Sequence, residues 1–93
     1  MTNYMIGIDI GTTSTKSVLF TEQGEVVSTS TQEYPLYTPA PDVAEQDPEE
    51  IVQAAIRSVR GVMDLSGVMA EQILFVSCSS AIGSLTIIVF PLF

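Results

Sequence analysis

Met5-Ile6-Gly7-Ile8-Asp9-Ile10-Gly11-Thr12-Thr13-Ser14-Thr15-Lys16 is an apolar run broken by one carboxylate, then a glycine, a cluster of hydroxyls and the chain's single lysine. The near-continuous Met5, Ile6, Ile8 and Ile10 predict a strand covered on both faces. A carboxylate in such a strand is out of place. Burying it unpaired is costly, so Asp9 calls for a hydrated metal ion or for solvent at the strand end. Gly11 adopts turn dihedrals that a bulkier residue resists, and a tight hairpin there would leave the backbone N–H groups of Thr12, Thr13, Ser14 and Thr15 pointing outward, a concavity suited to anions.

Downstream, Ser17 to Phe20 reads as a second strand, Thr21-Glu22-Gln23-Gly24 as a short hairpin loop with Gly24 at positive φ, and Glu25 to Gln32 as a third strand. Val26 and Val27 followed by Ser/Thr alternation place that strand at a half-exposed edge of a three-stranded antiparallel meander. Tyr34 to Asp47 carries Pro35, Pro39 and Pro41 and is expected to cross the surface as an extended connection without regular structure.

Asp47-Pro48-Glu49-Glu50 marks a helix start, with Asp47 as N-cap, Pro48 at the first helical position and Glu50 closing a capping box. Capping and the helix dipole account for both glutamates, which are therefore set aside as catalytic carboxylates. Ile51, Val52, Ala55, Ile56, Val59, Val62 and Met63 recur at helical spacing and predict one stripe against the sheet, with Arg57 and Arg60 on the other face. The helix should end near Leu65, with Ser66-Gly67 as its exit. After the connector Val68 to Gln72, Ile73 to Cys78 reads as a buried strand parallel to the first, because a helical crossover separates them. Cys78 reads as a core thiol.

Length and charge bound the rest. The 93 residues hold one small domain, with three basic residues against eleven acidic ones and a net charge of −8. So negative a surface is a poor match for nucleic acid, which is gripped through Lys and Arg. One cysteine and no histidine exclude an internal disulfide framework and a Cys-His pair, and cytoplasmic residence is expected.

D-I-G-T-T could be an ordinary turn, since Asp, Gly, Ser and Thr favour turns for local reasons. The longer string D-I-G-T-T-S-T-K between two apolar strands tips the reading toward a phosphate-gripping turn. The phosphate loop G-x-x-x-x-G-K-[ST] and the dinucleotide fingerprint G-x-G-x-x-G are both absent. The string resembles the first phosphate motif of the actin, hexokinase and heat-shock chaperone ATPase superfamily, and in particular that of the FGGY carbohydrate kinases. With Y-P-L-Y-T-P, A-E-Q-D-P-E-E and F-V-S-C-S-S-A, residues 4–81 look most like the gluconate branch of that family.

The resemblance implies an α/β fold, the N-terminal part of a ribonuclease H-like (actin/hexokinase superfamily) ATPase domain: a three-stranded antiparallel meander, a helix, then a parallel strand. It implies phosphoryl transfer from ATP, with Mg²⁺, to a sugar or sugar acid. Carried over residue by residue, Asp9 would hold the metal through water. Gly11, Thr12 and Thr13 would offer backbone N–H groups, and Thr13 and Ser14 hydroxyls, to the phosphates. Lys16 would balance their charge.

On the substrate side Ser80 and Ala81 match the family's loop, whereas Ile82 stands where Met is expected and Gly83 where His is. The family's catalytic Asp has no counterpart, so the chain is expected to be a truncated or frame-shifted, inactive N-terminal piece whose residues 82–93 form a divergent apolar tail. Self-association through a sheet edge is then conceivable.

A rival reading takes the uncharged run Ile73 to Phe93 as a membrane anchor, since about 20 apolar residues span a bilayer. Ser77, Cys78, Ser79, Ser80 and Pro91, with no basic flank, weigh against it. A non-enzymatic relic domain associating through this tail is the corresponding alternative function.

Overall fold

The computed structural model describes residues 2–35, 37–40, 43–45, 47–80 and 85–89. A five-stranded sheet of order β3-β2-β1-β6-β7 organises the chain. Strands β1 (Tyr4–Ile10), β2 (Ser14–Thr21) and β3 (Val26–Glu33) form the expected antiparallel meander. Helix α1 (Pro48–Ser66) crosses over, and β6 (Ile73–Ser80) returns parallel to β1. Strand β7 (Leu85–Val89) then pairs antiparallel with β6. The expected α/β architecture is present, with β3 at the sheet edge and Val26 and Val27 exposed.

The helix ends follow the local chemistry. Asp47 Oδ1 accepts the Glu49 N–H at 3.0 Å, and Pro48 takes the first helical position, where its missing N–H costs nothing. At the other end Gly67 takes φ 71° and donates its N–H to Met63 O, a left-handed cap that favours glycine. Gly24, at φ 87°, serves the β2–β3 turn in the same way.

Three expectations need correction. The connection from Tyr34 to Asp47 is not wholly irregular: β4 (Tyr37–Ala40) and β5 (Val43–Glu45) form a separate two-stranded hairpin. Its ladder is irregular between Tyr37 and Ala40, and Pro39, which has no N–H to give a ladder, lies in that gap. Strand β2 begins at Ser14 rather than Ser17, so only Gly11, Thr12 and Thr13 separate it from β1, and the Gly11 N–H to Ser14 O bond closes a two-residue loop at Thr12 and Thr13. And β1 is not covered on both faces: among the described residues α1 packs on one face only, and Asp9 on the other is exposed, so it bears no burial penalty.

The helix face against the sheet also differs from the expected stripe. Val52 and Ile56 remain 51 % and 44 % exposed, whereas Ala54, Ser58 and Val62 are fully buried. Small residues win because they let the backbones approach. A Cβ on Gly61 would fall 2.3 Å from Ser30 Oγ, and Ser28 Oγ donates to Val62 O at 2.9 Å. A larger stripe would hold the helix off the sheet and leave those strand hydroxyls unsatisfied. The core beside this seam consists of Ile6, Leu19, Val62, Ile73 and Val76, flanked by Tyr4, Ile8, Val59, Met63 and Val68.

The uncharged C-terminal run forms strands where it is described, and no helix among the described residues is long and apolar enough to cross a membrane. Ala81, Ile82 and Gly83 lie outside the described residues.

Candidate functional site

Strand alternation sorts the chemistry. Thr15, Ser17 and Leu19 of β2 point toward α1 and are fully buried, so Lys16 and Val18 point to the open face. In the β1–β2 register Asp9 stands opposite Lys16, and in the β1–β6 register Asp9 stands opposite Ser79. One row across the open face therefore reads Lys16, Asp9, Ser79, and the next reads Val18, Gly7, Ser77. Together with Ile8 these residues line a shallow cleft of about 410 Å³.

The Asp9 carboxylate is exposed, and among the described residues its one hydrogen bond is a long one, from Ser79 Oγ at 3.5 Å. A bond of that length is weak, so most of its lone pairs face solvent. Lys16 is exposed beside it. A hard oxygen donor of this kind suits Mg²⁺, which is commonly held by one or two carboxylates together with waters and substrate phosphates rather than by an all-protein cage.

The hairpin loop lies at the end of this row. Gly11 N donates to Ser14 O at 2.8 Å, so its N–H is spent inside the turn instead of facing outward as expected. Gly11 does not take a positive φ either. Its lack of a side chain matters for space, because a Cβ there would sit 3.2 Å from Ser14 O. Thr12 and Thr13 are exposed and Ser14 is half-buried. Thr15 is turned away: its side chain is buried and donates to Tyr34 Oη at 3.2 Å.

Asp9 and Lys16 thus share the open face, toward the end of the β1–β2 hairpin whose turn carries Gly11, Thr12, Thr13 and Ser14. Ser80 is not with them. It follows Ser79 on β6, half-buried and opposite Ile10, and alternation turns it to the other face. Sequence reasoning missed Ser77 and Ser79, although two serines spaced by two in an apolar strand mark a face that meets solvent. Beside the site, burial first and the Asp9 carboxylate second push the Cys78 thiol above its ordinary value of 9.0, in keeping with a structural thiol.

An antiparallel meander joined by a crossover helix to a parallel strand is the architecture of the actin/hexokinase-like sugar kinases. Within that class the chain belongs to the FGGY family of carbohydrate kinases, whose N-terminal domain model matches residues 4–88. It is 52 % identical over 84 residues to a gluconokinase of Bacillus subtilis, covering 90 % of this chain and 16 % of that one. To a xylulose kinase of the same organism it is 33 % identical over 85 residues, covering 91 % of this chain and 17 % of the relative. Among solved structures, a gluconate kinase from Lactobacillus acidophilus superposes with a TM-score of 0.74 at 30 % identity, over 96 % of this chain and 20 % of that one. The chain spans about a sixth of the length of the curated relatives it matches.

Proposed function

We propose that the chain forms the phosphate-facing part of an ATP-dependent sugar-acid kinase with gluconate as its substrate. The observation that carries this reading is the register that sets Asp9 beside Lys16 on an open sheet face, at the mouth of the Thr12–Thr13 loop. Asp9 would hold Mg²⁺ through water, and the bound ion would neutralise phosphate charge. Backbone N–H groups of the loop, with the Thr13 and Ser14 hydroxyls, would position the β- and γ-phosphates, and Lys16 would add a point charge. Phosphoryl transfer asks mainly for such positioning and charge neutralisation. Gluconate is favoured over xylulose by the margin of 52 % against 33 % identity. The sugar acid would approach the open face of β6, on the side of Ser77 and Ser79. No catalytic base is assigned within these residues. Cytoplasmic residence belongs to the same reading.

Calorimetric titration of Mg-ATP into the chain, Asp9→Asn and Lys16→Ala tests the site. Weak, Mg²⁺-dependent binding that either substitution lowers about tenfold is expected, the loss of one charge-assisted contact. Equal heats from the three proteins would remove the phosphate site. For the substrate, gluconate should raise the melting temperature in the presence of Mg-ATP more than xylulose does, and the reverse order would overturn the assignment.

A further inference from the structure

Neither Thr12 nor Thr13 takes a positive φ, so their loop is not one of the primed turns whose twist suits a two-residue hairpin. The Gly11 N–H to Ser14 O bond joins its flanks, and Tyr34 is placed to hold them from outside as well. Its side chain is 7 % exposed, on the α1 side of the sheet. Its hydroxyl donates to Gly11 O and to Ser14 O, the latter at 3.0 Å, and accepts from Thr15 Oγ1. Its own backbone N–H donates to Thr13 O at 2.9 Å. One residue, roughly twenty positions downstream, thus engages the carbonyls of Gly11, Thr13 and Ser14.

We infer that Tyr34 is the positioning residue of the phosphate-facing turn, an inference that rests on the proposed function for what the turn binds. A single phenolic proton shared between two carbonyls ties the two flanks of the loop to one buried point. Drawing the Gly11 and Thr13 carbonyls toward Tyr34 has a second effect. The trans peptide sets C=O and the next N–H on opposite sides, so the N–H groups of Thr12 and Ser14 are turned away from Tyr34. Carbonyl oxygens, which would repel a phosphate, are held on the inner side of the turn. The phenol therefore orients the turn's dipoles before any anion arrives, and does so without touching it.

Tyr34→Phe keeps the ring and removes the hydroxyl. Exchange of the Gly11 amide hydrogen should speed up about tenfold, the change expected from one lost hydrogen bond, while the Leu19 amide in β2 keeps its protection. Mg-ATP affinity should fall about five- to tenfold, with Asp9 and Lys16 intact. An unchanged Gly11 exchange rate overturns the inference whatever the nucleotide does. A wild-type chain that binds no Mg-ATP overturns the functional reading alone, and the exchange data still decide whether Tyr34 holds the turn. A second measurement needs no variant. The Tyr34 hydroxyl proton in the unmutated chain should exchange far more slowly than that of free tyrosine, and equal rates would also sink the inference.

Discussion

Ser17 and Ser58 meet hydroxyl to hydroxyl at 2.6 Å in the buried seam between β2 and α1, forty-one positions apart in the chain. Proton counting orients the pair. Ser58 Oγ also lies 2.8 Å from Ala55 O, a carbonyl that can only accept, so Ser58 donates there and Ser17 donates to Ser58.

The two serines are therefore not equivalent. Ser58→Ala strands the Ser17 proton in a dry seam and should cost about 2 kcal/mol, even though alanine is the better helix former. Ser17→Ala leaves Ser58 bonded to Ala55 O and should cost about 1 kcal/mol or less. The double replacement should cost less than the sum, because no hydroxyl is then left unsatisfied. Urea denaturation of the four proteins checks the order, and equal single costs would contradict the assigned donor.

Gly61 is a second test of the seam. Alanine in a helix interior gains about 1 kcal/mol over glycine in propensity, yet its Cβ would lie 2.3 Å from Ser30 Oγ and 2.8 Å from Ser30 Cβ. Overpacking of this kind costs about 1–3 kcal/mol, so Gly61→Ala should be destabilising on balance. Ser30→Gly removes both opposing atoms and should recover most of the loss in the double variant. Melting temperatures decide it, and a more stable single variant would show that the helix can lift without penalty.

Cys78 supplies a prediction in pH. Burial, and then the Asp9 carboxylate, raise its thiol above 9.0 in the folded chain. A group whose folded value is raised contributes stability that is complete below the unfolded value and is lost as pH rises through the folded one. Stability should accordingly fall from about pH 9 upward, and Cys78→Ala should flatten that decline. Alkylation by iodoacetamide at pH 8 should be slower in the folded than in the unfolded chain, and faster in Asp9→Asn than in the unmutated protein. Equal alkylation rates for those two folded proteins would deny Asp9 its part in the shift.

Much of the fold was legible before any coordinates because the governing effects are local. Asp47, Pro48 and Gly67 mark the helix through bonds and dihedrals confined to a single turn of chain. Gly24 marks the second hairpin in the same way, and the apolar runs mark β1 and β6, whose parallel pairing follows from the helix between them. Candidate residues of the site were legible too, because Asp9, Gly11, Thr12, Thr13, Ser14 and Lys16 lie in one unbroken string.

Hydropathy alone could not say which helix residues face the sheet. Val52 and Ile56 are more apolar than Ser58 and Gly61, yet it is the latter pair whose size lets the backbones close on Ser17 and Ser30. Nor could it say that Ser79 lies opposite Asp9, or that a phenol from beyond the third strand grips the first turn. Capping and turn preferences act across a few bonds and are written in neighbouring residues. Burial and the pairing of polar atoms depend on the shape of a partner surface many positions away, which exists only once the sheet has formed and the helix has settled on it.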